Sequence, residues 1–116
     1  MAQPIILFEI GGRDRDRSAN FYSQLFDWKI KPQGPVQFIE PPPPGGIPGH
    51  ITSLGHDPQN YVTIYVEVDD IEASLAKAES LGGTVAVRPI EIPNGTFAWF
   101  KDPDGNVIGL WQPLRS

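Results

Sequence analysis

Hydrophobic positions along the chain switch between a period of two and a period near 3.6, and the order of the switches repeats. The stretch 5–10 is Ile, Leu and Phe interrupted only by Glu9, and it reads as a strand ended by Gly11 and Gly12. Asp14 or Asp16 then caps a helix over about 17–26, with Phe21, Leu25 and Tyr22 at helical spacing as its buried stripe. Strands are predicted at 28–31 (closed by Pro32), at 36–40 and at 47–54, with Trp28 assigned to the core. Between the last two lie four prolines, 41–44, then Gly45 and Gly46; proline has no N–H to offer a ladder, so this is a stiff surface loop.

After a linker at 55–60, "GHDPQN", the order recurs. Residues 61–68 alternate cleanly as a strand. Asp69 or Asp70 caps a helix over 71–81 with Ile71, Leu75, Ala78 and Leu81 on one face, and Gly82 and Gly83 end it. Strands follow at 84–87, 96–101 and 106–111, the last two joined by the tight reversal Asp102-Pro103-Asp104-Gly105.

Each half thus reads strand, helix, three strands. The predicted class is α+β: two tandem βαβββ modules, about 4–55 and 61–113, within one domain over 1–116. The cap aspartates differ by 70 − 14 = 56 positions, and the same offset pairs Ser18 with Ser74, Leu25 with Leu81, Gly49 with Gly105 and Leu54 with Leu110, as a duplication would. A four-stranded sheet with one helix leaves its second face in need of cover. Two such halves are expected to build a curved mixed sheet with a cleft, where a ligand would sit.

Composition narrows the chemistry. With no cysteine, disulfides and thiol nucleophiles are excluded. The formal net charge of −5 argues against nucleic acid, since the cluster Arg13, Arg15 and Arg17 is neutralised locally by Asp14 and Asp16. No apolar run has the roughly 18 residues of a membrane span. The opening "MAQPIILFEI" lacks the basic segment and cleavage site of a signal peptide, so a cytoplasmic location is expected.

Three stretches carry a family resemblance: "FEIGGRDRDRSANFYSQLFDW" from Phe8, "VEVDDIEASLAKAESLGGTV" from Val66 and "FKDPDGNVIGLWQP" from Phe100. Together with the repeated βαβββ order they resemble the vicinal oxygen chelate superfamily, which includes glyoxalase I, extradiol dioxygenases and bleomycin-resistance proteins, and within it the small glyoxalase-like proteins. The resemblance implies a homodimer. It also implies a divalent metal held by four side chains, usually His or Glu, one on the first and one on the last strand of each module.

Those positions lie seven residues before each cap aspartate and four after each hairpin glycine. They hold Leu7, Ser53, Thr63 and Gly109, two without any donor and two with weak hydroxyls. The reading is therefore that the usual metal site is absent and that no cofactor is implied. Strand alternation places Glu9 with Leu7, Tyr65 and Glu67 with Thr63, and Trp111 with Gly109. The candidate ligand-binding set is Glu9, His50, Thr63, Tyr65, Glu67 and Trp111, with Glu9 the candidate catalytic base. Parity does not decide whether Phe97 and Trp99, or Ala98 and Phe100, face the cleft. The second histidine, His56, falls in the linker. Two functions fit: a metal-free protein binding a small organic ligand in the cleft, or a lyase, isomerase or dioxygenase-like enzyme with a non-standard site built from Glu9, His50 and Glu67.

Overall fold

A computed structural model describes residues 2–54 and 59–114, and the chain divides into two compact units: residues 6–63, and residues 64–116 together with 1–5. The predicted α+β class and the repeated βαβββ order hold: each unit supplies one helix and four strands in that sequence.

In the first unit, β1 (Ile5–Gly11), α1 (Arg15–Phe26), β2 (Ile30–Gln33), β3 (Val36–Ile39) and β4 (Gly49–Thr52) give the strand order β2-β3-β4-β1. β1 and β4 run parallel, and the other neighbours antiparallel. The helix starts where the Asp14 carboxylate accepts the N–H groups of Asp16 and Arg17, and it ends at Asp27, whose left-handed backbone returns its N–H to the Ser23 carbonyl. Gln37 on β3 donates to the Asp16 carboxylate at 2.8 Å, fixing the sheet to the first helical turn.

The helix buries only part of the stripe that its spacing suggests: Tyr22 packs inward as expected, Phe21 and Leu25 do not. Phe21 and Leu25 are 59% and 57% exposed, whereas Ala19 is buried and Tyr22 packs beside it. The phase is set by the sheet. Phe8, Ile10, Ile39 and Ile51 already fill the volume beneath α1, so a small Ala19 lets the helix approach and Tyr22 stacks on Trp28 at 5.6 Å. Trp28 belongs to this core, as expected.

The second unit contains β5 (Tyr61–Glu67), whose first three residues belong to the first unit, then α2 (Ile71–Ser80), β6 (Thr84–Ile92), β7 (Gly95–Lys101) and β8 (Val107–Pro113). Its order is β5-β8-β7-β6, with β5 and β8 parallel. Asp70 caps α2 by accepting the Ala73 N–H at 3.0 Å, in a backbone conformation nearly identical to that of Asp14. Val68, Ile71, Leu75, Ala98 and Leu110 form the core, joined by Val66, Val85 and Phe100. Leu81 is not part of it and is 71% exposed. β6 runs five residues further than its hydrophobic pattern suggests, with register shifts between Val85 and Val87 and between Val87 and Ile90, the second spanning Pro89.

The strand registers revise the internal alignment. Ile10 lies opposite Ile51 and Val66 opposite Leu110, so the first strands differ by 66 − 10 = 56 positions but the last by 110 − 51 = 59. Leu110 corresponds to buried Ile51, not to exposed Leu54. Among the described residues, no helix is long and apolar enough to cross a membrane.

Truncating Leu75, which is 2% exposed, should lower stability by about 2–5 kcal/mol, whereas Phe21→Ser on the same scale should cost about 0.5 kcal/mol or less. Urea denaturation of the two variants checks this. Equal losses would mean that α1 buries its Phe21 face after all.

Candidate functional site

In the first unit, the side chains of Phe8, Ile10, Ile30, Ile39 and Ile51 point toward α1. Strand alternation therefore turns Glu9, Lys31, Phe38 and His50 to the far face. Register then aligns them: Glu9 lies directly opposite His50 across the β1–β4 pair, and His50 opposite Phe38 across β3–β4. The Phe38 and His50 rings meet edge-on at 6.1 Å. Tyr61 places its hydroxyl on Glu9, donating to Oε2. Its ring lies over Gly11, where any Cβ would collide with it, so the glycine is what allows the ring to lie flat along β1 from Gly11 to Glu9.

Electrostatically the patch is a buried carboxyl beside a neutral ring. Glu9 is 8% exposed and is held by hydrogen bonding. Burial lowers the His50 pKa below its ordinary 6.5, so at neutral pH the imidazole is uncharged and offers one donor and one acceptor.

In the second unit, Ala98 and Phe100 pack toward α2, which leaves Phe97 and Trp99 on the far face with Tyr65, Gly109 and Trp111. That resolves the parity left open by sequence. Tyr65 lies over Gly109, the Trp99 indole N–H donates to its hydroxyl at 2.8 Å, and Phe97 meets its ring edge-on at 6.5 Å. Glu67 is half-buried opposite Trp111. Of the predicted set, Glu9 and His50 are brought together in the first unit, which also includes buried Thr63 on β5; Tyr65, Glu67 and Trp111 lie in the second. His56 lies outside the described residues. Phe38 and Tyr61 were missed by the sequence reading. Tyr61 shares strand parity with Thr63 and Tyr65, a signal that was available; Phe38 becomes visible only once Ile39 is known to face α1.

A metal is what the family resemblance would imply, and these residues do not fit one. Ser53 lies beyond the end of β4, and the register counterpart of Gly109 is His50, not Ser53. The revised positions are thus Leu7, His50, Thr63 and Gly109, with one strong donor, and at 109 the Tyr65 ring occupies the space a ligating side chain would need. Among the described residues, no three His, Cys, Asp or Glu side chains form an ion-holding group.

A groove of about 500 Å³ elsewhere in the second unit is lined by Asp69, Asp70, Glu72, Glu91 and neighbours. Asp70 already serves there as the helix cap, and Gln112 accepts the Ile71 N–H.

Two outcomes follow. Gly109→Glu should destabilise the protein by about 1–3 kcal/mol, and adding Tyr65→Ala should recover part of the loss specific to the clash. Thermal melts of the three variants measure the coupling, and strict additivity would mean that the ring does not block position 109. The lowered His50 pKa means that the unfolded chain takes up this proton first as pH falls. Its stability contribution is therefore complete above 6.5 and declines as pH drops through 6.5 toward the folded-state value. His50→Gln should flatten that part of the profile in urea titrations, and an unchanged slope would show that burial does not hold the ring neutral.

The fold is shared with solved structures across nearly the whole chain. A glyoxalase/bleomycin resistance protein/dioxygenase superfamily member from Vibrio splendidus matches with TM-score 0.62 and 17% identity, covering 97% of this chain and 100% of that one. Methylmalonyl-CoA epimerase from Mycobacterium tuberculosis matches with TM-score 0.65 and 12% identity, over 96% and 88%. In sequence, 76 residues are 38% identical to the Mycobacterium bovis protein named "Putative glyoxylase CFP32", covering 65% of this chain and 24% of that protein. A glyoxylase-like domain-containing protein of Didymella fabae is 29% identical over 88% of both chains. The chain thus spans about a quarter of the first of these curated relatives and most of the second. Residues 8–111 match the glyoxalase-like domain family, and with that match and the repeated βαβββ units the chain belongs to this family.

Proposed function

We propose that this protein binds a small organic molecule without a metal, on the far face of the first unit. The observation that carries the reading is the in-register alignment of Phe38, His50 and Glu9, completed by Tyr61. Such an alignment offers an apolar ring surface next to directional polar groups, the usual composition of a small-molecule site. Phe38 and His50 remain half-buried, so both have surface left for a ligand. The polar groups set orientation: Glu9 accepts, Tyr61 is already committed to Glu9, and neutral His50 can either donate or accept.

The metal-free part of the proposal rests on donor chemistry. Leu7 and Gly109 have nothing to coordinate with, and a threonine hydroxyl is a weak ligand for the transition ions that imidazole favours. His50 is then free for hydrogen bonding and ring contact, roles that a coordinated imidazole could not fill on the same nitrogen.

Calorimetric titration of the purified chain tests both parts. Nickel, zinc, manganese and iron(II) should give no stoichiometric binding heat, while planar aromatic compounds should bind and raise the melting temperature. Phe38→Ala should weaken that binding by about threefold to tenfold through loss of ring contact. Tight stoichiometric metal, or aromatic binding indifferent to Phe38→Ala, would overturn the assignment.

A further inference from the structure

The row on the far face of the first unit does not end at Phe38. Lys31 on β2 lies opposite Phe38 in register, and its ammonium sits 6.0 Å from the centre of the Phe38 ring. Read across the strands, the row is therefore ammonium, phenyl ring, neutral imidazole, carboxyl and phenol, one residue from each strand. Its two ends differ in charge character, so a ligand lying along it has a preferred direction.

We propose that this row selects a flat aromatic acid with a hydroxyl at the end opposite its carboxylate, the carboxylate toward Lys31 and the hydroxyl toward Glu9. The inference rests on the small-molecule reading of the same face and adds the ligand's chemistry. Neighbouring strands are about 4.8 Å apart, so the backbones of Lys31 and Glu9, three spacings apart, are separated by about 14 Å, a gap that two fused rings lying over Phe38 and His50 bridge once their carboxylate and hydroxyl and the hydrogen bonds at each end are included. A carboxylate at the β2 end meets Lys31, whose ion pair with Glu40 at 3.4 Å is exposed on both sides and yields readily to another anion.

At the other end, Glu9 is buried, and the phenol hydroxyl of Tyr61 is among the groups that donate to it. A ligand phenol is the same kind of donor that Tyr61 presents at this end, and its hydroxyl can join that hydrogen-bonded group. The uncharged His50 between the two ends presents no further cation to compete with Lys31. The chain's net charge of −5 does not argue for a cationic ligand here, since four of its carboxylates line the separate groove at the start of α2.

The test is calorimetry on the full chain with four probes: a hydroxynaphthoate with hydroxyl and carboxylate on opposite rings, the corresponding naphthoate, the naphthol, and naphthylmethylamine. The hydroxynaphthoate should bind tightest, with the carboxylate improving affinity over the naphthol by about threefold to fivefold. Lys31→Gln, an exposed change that leaves the core intact, should abolish that margin without altering naphthol binding, and added salt should narrow it in the wild type. Tighter binding of the amine, or a naphthoate margin that survives Lys31→Gln, would overturn the ligand class while leaving the binding face in place. Failure of all four probes would overturn the small-molecule reading itself.

Discussion

In each unit the first and last strands run side by side and parallel, and that pairing fixes everything else on the sheet. A parallel pair cannot be closed by a hairpin and needs a long crossover, which in each unit runs through a helix and two further strands before the pair is complete. The helix then has one face of the sheet to cover and no means of covering the other. Core side chains of β1 and β4 are committed to the helix, and whatever alternates with them is committed to the far face. Glu9 and His50 are opposite one another because Ile10 and Ile51 are.

The same scaffold is used differently in the two units. Each lays a tyrosine ring over a glycine, Tyr61 over Gly11 and Tyr65 over Gly109. In the first unit the hydroxyl reaches a carboxyl beside an imidazole, leaving a polar patch with chemical direction. In the second it meets the Trp99 indole within a group of aromatic rings, a packed arrangement with Tyr65 and Trp99 both 5% exposed. One glycine makes room for a polar contact; the other stands where a metal-holding side chain would stand and is closed off by the ring above it.

Much of this was readable along the chain because it depends on local chemistry. The aspartates at 14 and 70 cap helices since a short carboxylate at that position accepts the first free N–H groups whatever the rest of the protein does. The turn at Asp102 forms for the same kind of reason: its carboxylate accepts from the backbone of Asp104 and Asn106 and from the Asn106 side chain, and those bonds hold its pKa below the ordinary carboxylate value. Helix phase was not readable. Phe21, Leu25 and Tyr22 satisfy helical spacing, yet which of several apolar faces turns inward depends on the volume left by Phe8, Ile39 and Ile51, residues distant in sequence.

The sequence by itself determined the class, the two βαβββ repeats, an aspartate cap for each helix and the absence of donors at Leu7 and Gly109, because composition and short-range periodicity are enough for those; which aspartate of each pair caps was decided by the backbone at Asp14 and Asp70. Only the tertiary structure decided that His50, rather than Ser53, is the counterpart of Gly109, and that Phe38 and Lys31 line up with it. The physical reason is register: the two halves differ by three residues between their helices and their last strands, and a sequence offset counts residues whereas a sheet aligns them by hydrogen bonds.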